Sequence, residues 1–590
     1  MERIFGWKGK VLSINLTDRS YTALYPPKEV YHKFIGGRGI AGWFLRPHCT
    51  QAWDSADMPL IFFTGPLADT ESPASGHFTV MSKSPLTGAV GDSSADGRFG
   101  LEIKRAGWDG IVFTGKSKQL CGVSIKDDTI EFLDAEHLKG KKISETPSAL
   151  PKKSYLSSAA SIASIGPAAE NGVLFANISF DEDSFDGRAG LGLVMAGKGL
   201  KYIQVEGSGK TEIFNRDELL SGSEDIFRLV SASPILMGEL GFPDYGTGAL
   251  YDLINSRRMM PTYNFRETHF HNAENMNAWS YKQKFKTKKI GCNGCHILCK
   301  KKGKDGERMP EFETMSHFSA LIGNSDMEKV MEASHICNEY GMDAISAASA
   351  IACYMEINKT DSDRFDFIEL LKDIALSKGE GEILKYGSFK YASAVNHIDS
   401  SMSVKGLDLP AYDPRGAYGM ALAYATSTRG GCHLRANPIS HEILRKPVAT
   451  DRFSFSGKAR IIKLAEDMYA VVDSLTVCKF IFFAASLEEY SKIFSAVTGV
   501  YPDDLMRVGE RIYYNERIMN FMNGFTGKDD DLPERFFKCG GTSGDGISIP
   551  PINREEFLET RSKYYKIRGL TQDGECTKEK CEELELQWIN

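Results

Sequence analysis

The sequence predicts an α+β fold: a β-rich N-terminal domain over residues 1–208, then two mainly helical domains over 209–402 and 403–590. Three observations carry this expectation. Short runs rich in β-branched and aromatic residues, bounded by Gly, Pro or Asp, are confined to the first 207 residues. Beyond them apolar residues recur at spacings of three and four, the period of a helix face. A chain of 590 residues also has material for several packed layers or domains.

Taken in order, KVLSINL, LIFFTGP and GIVFTGK read as strands. Cys121 to Phe132 reads as a hairpin, with Val123 and Ile125 before the polar Asp127-Asp128 turn and Ile130 and Phe132 after it. KYIQVEG, ending at Gly207, reads as the last strand. Later, Ile461, Leu464, Met468, Val471 and Leu475 keep helical period, as do Leu505, Val508 and Ile512. Asp529 to Asp531 reads as a solvated acidic loop. No internal repeat or low-complexity segment is present.

Two nucleotide-binding signals fail on context. Gly110 to Ser117 satisfies the P-loop expression G-x-x-x-x-G-K-S, but its interior, IVFT, is an apolar strand, and a second strand follows where a helix is required. In DGRAGLG, Met195 stands where a dinucleotide turn needs its third glycine. The formal net charge of -7 and the ordinary balance of 42% apolar and 25% charged residues do not suggest nucleic-acid binding. No apolar run approaches the roughly 20 residues of a membrane span. MERIFGWKGK lacks the apolar core of a signal peptide, so the expected location is cytoplasmic. Twelve cysteines in this length are too sparse for a disulfide scaffold.

The chemistry concentrates between Tyr281 and Glu313. Cys292, Cys295 and Cys299 stand in a C-x-x-C-x-x-x-C spacing, with a carboxylate pair, Glu311 and Glu313, just beyond. Three thiolates this close converge on one inorganic centre, and Cys478, in DSLTVC, is the candidate for a fourth. Zinc and an iron-sulfur cube both accept such a set, and the spacing favours the cluster. Lys282, Lys284, Lys286, Lys288 and Lys289 lie on one side of the cysteines and Lys300, Lys301, Lys302 and Lys304 on the other. Such a local positive field suits an acidic partner.

Across essentially its whole length the chain resembles the aldehyde:ferredoxin oxidoreductase family of tungsten enzymes. The resemblance rests on SKSPLTG at Ser82–Gly88, ASIGPAAEN at Ala163–Asn171, LPAYDPRG at Leu409–Gly416, YATSTRGGCH at Tyr424–His433 and YYKIRGLTQDG at Tyr564–Gly574. Members bind a tungsten (sometimes molybdenum) bis-pterin and one 4Fe-4S cluster, and oxidise aldehydes to carboxylates with ferredoxin as acceptor. The resemblance implies that the N-terminal domain is pterin-binding. It implies Cys292, Cys295, Cys299 and Cys478 as cluster ligands, and allows a Mg ion bridging the pterins.

The family motif D-x-x-G-L-C stands here as Asp473 to Cys478, with Thr476-Val477 for Gly-Leu; D-x-x-G-L-D stands as Asn338 to Asp343. By resemblance Asn338, Asp343, Leu434, Asp473 and Val477 face the pterins. Where relatives have Gly-Arg this chain has Gly76-His77; where they have N-S-G-G-Y-F-G it has Ser94, Ala95, Asp96 and onward to Gly100. Where they have R-A-A-G-R-G-G it has Ser184, Phe185, Asp186, Gly187, Arg188 and onward to Gly190. Two arginines expected near pterin or phosphate are therefore missing, and Arg98 and Arg188 are the candidates to compensate.

Glu313 matches the family's active-site glutamate and is expected to be the general base; without the resemblance it reads as a surface carboxylate. His433 is expected to donate to the substrate oxygen, and Tyr412 to stand in the pocket. The implied partners are ferredoxin or a small iron-sulfur subunit and a small aldehyde or acid substrate, and the resemblance allows a homodimer. Glu332 and His335 match an E-x-x-H pair that bridges a dimer through a metal in some relatives, but the second such pair is Asp366 to Glu369 here, so a helix-surface pair is expected. The rival expectations are the same cofactors used reductively on a carboxylic acid or an activated aromatic substrate, and a non-catalytic zinc-stabilised binding protein.

Overall fold

The computed structural model describes residues 4–150, 160–182, 184–238, 241–292, 294–502 and 504–588. The N-terminal part builds two six-stranded sheets. The first contains β1 (Val11–Asn15), β2 (Ser20–Leu24), β3 (Leu60–Phe63), β4 (Phe78–Lys83), β5 (Val90–Ala95) and β6 (Gly110–Thr114), in the order β2-β1-β6-β3-β4-β5. The second contains β7 (Cys121–Lys126), β8 (Thr129–Asp134), β9 (Ser161–Ile165), β10 (Ile178–Phe180), β11 (Ser184–Phe185) and β12 (Leu200–Glu206), in the order β11-β10-β9-β12-β7-β8. The expected hairpin forms with Val123 opposite Phe132 and Ile125 opposite Ile130. Asp127 turns it at a positive φ of 52°, a conformation Asp tolerates. After β6 the chain runs through Gly115 into β7, so the P-loop match spans a strand.

Phe62 on β3, Phe78 on β4, Phe99 and Phe180 on β10 join the two sheets, with ring centroids 4.8 to 6.3 Å apart in edge-on or tilted pairs. Such pairs add about 0.5–1.5 kcal/mol each beyond their buried area. The first domain also carries a helix the strand reading missed, Gly37–Leu45. Its glycine-rich start lets the N-terminal part and the helical remainder meet backbone to backbone. A Cβ at Gly37 would lie 2.3 Å from Asp473 O, and one at Gly65 would lie 2.4 Å from Leu475 O. That contact sets the approach of the segment ending in Cys478.

The remainder is mainly helical. Helix Lys458–Leu475 packs against Leu505–Met522 and Arg554–Arg568. Its buried arc differs from the expected stripe: Leu464 is 44% exposed, whereas Ile462, Tyr469, Glu466 and Asp467 are buried. The two carboxylates are tolerated because Arg568, itself fully buried, binds both. Asp529–Asp531 is likewise no solvated loop. Asp530 is fully buried and pairs with Lys405 at 2.7 Å and Arg517 at 2.8 Å.

Another buried network ties the first sheet to the last domain. Arg38 Nε donates to Glu516 at 2.6 Å, Arg435 lies 3.3 Å from the same carboxylate, and Arg435 also binds Asp92 on β5. Glu332 and His335 are exposed on helix Met327–Tyr340, with Lys372 3.4 Å from Glu332. Among the described residues no helix is long and apolar enough to cross a membrane.

Candidate active site

The cysteine loop is held between two short antiparallel strands, Lys288–Ile290 and Lys300–Lys302. Cys478 reaches it from the end of the long helix, its N–H donating to Ala74 O at 2.9 Å. Burial first, and then neighbouring thiols, push Cys299 well up and Cys478 up to about 12, so these sulfurs share one neighbourhood. Cys292 is raised by burial and by Asp96, to whose Oδ2 its Sγ donates at 2.5 Å. Thiols held this high ionise only against a positive centre. Among the described residues no three His, Cys, Asp or Glu side chains gather tightly enough for a single ion.

A cavity of about 420 Å³ opens beside the cysteines, lined by Cys292, Cys299 and Cys478 at one side and by Glu313, Tyr412 and His433 elsewhere on its wall. Several buried polar atoms of its lining have no hydrogen-bond partner: His77 Nε2, Asn177 Oδ1, Asp186 Oδ2, Arg188 Nε, Glu313 Oε1 and His433 Nδ1. An unsatisfied buried polar atom costs about 1–3 kcal/mol. Six around one cavity fit a large ligand with many polar edges.

Glu313 lies in the helix Phe312–His317. Ala411 N–H donates to its Oε2 at 2.8 Å, and its Oε1 stands 3.6 Å from His433 Nε2. Burial raises Glu313 to about 8, opposed by the Ala411 N–H and by Arg188. Burial, then Arg188, Arg429 and Lys479, hold His433 well below its usual value, so its imidazole is neutral at pH 7. Tyr412 packs its ring against His433 (centroids 5.5 Å) and Phe312 (5.3 Å).

His77, Ser94, Asp96, Phe185, Asp186, Gly187, Arg188, Asn338, Asp343, Leu434 and Asp473 all line the cavity. Ala95 and Val477 do not. Ala95 packs in the core cluster of the two sheets, and Val477 packs in a second core cluster with Cys295 against it. Ser184 serves the lining indirectly: its hydroxyl bonds Asp96, and Lys300 donates to it at 3.2 Å.

Of the two candidate arginines only Arg188 lines the cavity. Arg98 is outside the cavity lining, 3.5 Å from Glu102. Arg188 donates through Nη1 to Gly431 O at 2.9 Å and through Nη2 to Asp408 O at 2.6 Å, which braces the turn before His433 and leaves Nε without a hydrogen bond. The lysine field is also reduced. Lys300 and Lys301 turn inward, Lys282 and Lys289 lie 3.8 and 3.0 Å from Asp244, and Lys284 pairs with Glu328.

Several participants escaped the sequence reading. His317 is fully buried, four residues after Glu313 on the same helix face, and bonds Glu313 O (2.8 Å) and Leu409 O (3.2 Å). That spacing was available as a signal. Cys432 accepts from Arg429 Nε at 3.1 Å and Leu434 N at 3.2 Å, which shapes the turn carrying His433. Lys300 and Lys479 each follow a candidate cluster cysteine and bond Asp96 and Asp473. Asp92, which binds Arg435 across 343 residues, left no local signal.

Comparison with known proteins places this geometry. The N-terminal domain profile of aldehyde ferredoxin oxidoreductase matches residues 11–207, and the profile of its domains 2 and 3 matches residues 222–586. The tungsten-containing aldehyde ferredoxin oxidoreductase of Thermococcus kodakarensis is 36% identical over 98% of this chain and 99% of its own length. That of Pyrococcus furiosus is 35% identical over the same shares. An aliphatic sulfonate oxidoreductase, WOR-like subunit, of Pyrococcus furiosus is 26% identical over 98% of this chain and 97% of its own length. Among solved structures, the active-site complex BamBC of benzoyl coenzyme A reductase shares the fold, with TM-score 0.84 and 22% identity over 99% of this chain and 98% of that one. By two profiles that together span most of its length and by relatives above 30% identity, this chain belongs to the aldehyde ferredoxin oxidoreductase family of enzymes.

Proposed function

We propose that the chain is a tungsten (or molybdenum) bis-pterin oxidoreductase that oxidises an aldehyde to its carboxylate. Cys292, Cys295, Cys299 and Cys478 would hold a 4Fe-4S cluster, which would supply single-electron transfer to ferredoxin or a small iron-sulfur subunit. The observation that carries this reading is Glu313 Oε1 facing His433 Nε2 at 3.6 Å in a cavity that also reaches three of the candidate cluster thiols. When bound, the metal centre accepts the electron pair and the cluster releases it in single steps.

The chain's own residues supply the rest. His77, Ser94, Asp96, Asn338, Asp343 and Asp473 would hold the pterin edges. Asp186 would also: burial raises its carboxyl well above the usual range, which favours the acid form, and its Oδ2 has no partner within the protein. The hydration of an aldehyde needs a base for the attacking water and a donor for the carbonyl oxygen. Glu313, near 8, is matched to the first task. His433, neutral, carries one N–H for the second. Leu250, Phe312, Ile345, Leu444, Phe480 and Phe483 make an apolar wall that suits an aromatic or branched aldehyde. A panel of such aldehydes, assayed anaerobically with a viologen dye, tests the proposal. Dye reduction by none of them, in protein replete with metal, would sink it; reduction of the corresponding acids alone would favour the reductive reading.

The electron partner is tested separately. Lys286, Lys288 and Lys304 remain exposed around the cysteine loop. The rate of electron transfer to an acidic ferredoxin is expected to fall several-fold with added salt while the viologen rate stays flat. A flat ferredoxin rate would remove the docking role.

A further inference from the structure

Aldehyde oxidation releases protons as well as electrons: RCHO + H2O gives RCOO⁻, three H⁺ and two electrons, the electrons going to a one-electron iron-sulfur carrier. The protons arise inside a buried cavity. We infer that the side chains Asp343, Ser346, Asp408, Ser388, Ser401 and Ser403 form a relay that carries protons between this cavity and the surface. The inference rests on the aldehyde-oxidising reading for its use, and on hydrogen-bond geometry for its existence.

The path begins at the cavity wall. Asp343 lines the cavity with Glu313 and is among the groups that raise the Glu313 carboxyl. Ser346 Oγ donates to Asp343 Oδ2 at 2.7 Å, one turn into the helix that Asp343 caps. The same hydroxyl is among the groups that lower the Asp408 carboxyl, the row's second acid, buried beside it. This is the one step without a formed bond, because Asp408 Oδ2 is buried with no partner. Rotation of the Ser346 hydroxyl, which both donates and accepts, closes it.

Asp408 Oδ1 accepts from Ser388 Oγ. Ser388 Oγ bonds Ser401 Oγ at 3.0 Å, and Ser401 Oγ bonds Ser403 Oγ at 2.9 Å, either oxygen donating in each case. Ser346, Asp408, Ser388 and Ser401 are at most 4% exposed, whereas Ser403 is partly open to solvent. Four hydrogen-bonded hydroxyls connect two buried carboxyls toward solvent, and a hydroxyl can both donate and accept. Asp408 is also placed to gain and lose a proton. Burial lifts it to about 7, with Arg188 and Ser388 lowering it and Asp343 raising it; Cys353, on the helix that carries Ser346, also faces it. At that value it exchanges in both directions near neutral pH.

Ser388→Ala and Asp408→Asn test the relay, with Ser388→Thr as the variant that keeps the hydroxyl. Both interruptions are expected to lower steady-state kcat by about tenfold or more, with KM little changed. Cluster reduction in the first turnover, followed by stopped flow, should stay within about twofold of the parent. The solvent deuterium isotope effect on kcat should rise, imidazole should restore part of the loss, and Ser388→Thr should behave as the parent. Unchanged kcat and isotope effect in both interruptions would overturn the relay. So would an equal loss in the first turnover that buffer does not rescue, which is the mark of disturbed packing. Proton uptake on reduction with dithionite, read by an indicator dye, needs no aldehyde. If the parent takes up protons and the variants lag, the relay stands even where the aldehyde reading fails; if the variants keep pace, it falls.

Discussion

Glu313→Gln is expected to lower kcat/KM for aldehyde oxidation by about 10²–10⁴-fold, the usual worth of a positioned general base. The amide keeps the shape and still accepts from Ala411 N–H at the position where the carboxylate does so now at 2.8 Å. It cannot take a proton. The pH dependence separates this from a packing effect. Burial raises Glu313 to about 8, so the basic form accumulates only above that value. The parent's kcat/KM should climb through about pH 8, and the Gln variant should lack that limb. His433→Ala should lower the rate without moving the limb, because a histidine held well below its usual pKa is neutral on both sides of it. Full activity in both variants would remove the proposed roles.

Arg568→Met is expected to destabilise the chain by about 3–5 kcal/mol, the cost of breaking a buried ion pair from one side. Arg568 is fully buried; its Nη2 lies 2.7 Å from Glu466, its Nη1 binds Asp467, and the ring of Tyr513 lies 4.5 Å away. Removing it leaves Glu466 with Tyr513, Tyr564 and Thr426 as donors and no countercharge among them, while Asp467 keeps Lys463. The damage should reach the site, because the same helix runs on to Asp473, which lines the cavity. Denaturant midpoints measure the loss. A triple variant, Arg568→Met with Glu466→Gln and Asp467→Asn, should recover much of it, since the buried charges go together. No recovery would mean that Arg568 acts through packing on the tyrosines.

Local chemistry was legible in the chain, and long-range pairing was not. The hairpin of β7 and β8 could be read down to its facing residues, because alternation and turn chemistry are local. The cysteine loop was legible for the same reason. A matched stretch does not say which of its side chains face the cavity: Ser94 and Asp96 line it, whereas Ala95 between them packs in the core. Other features have no local trace. Nothing near Asp530 announces Lys405 and Arg517, so an acidic run read as solvated turns out to be a core ion pair. Asp244 is likewise remote from the lysines it approaches, and the field estimated by counting them was too large. The stretch YYKIRGLTQDG shows the converse. It was informative as a resemblance, and the structure explains it as core: Tyr564 donates to Glu466, Tyr565 to Asp530, and Arg568 holds both carboxylates of the neighbouring helix.

What the four sulfurs and the polar cavity hold is read directly by elemental analysis of anaerobically purified protein. About one tungsten or molybdenum and about four irons per chain are expected, with the irons lost when Cys478→Ser replaces the remote ligand. Zinc as the sole metal, with neither iron nor a pterin released on denaturation, would contradict this.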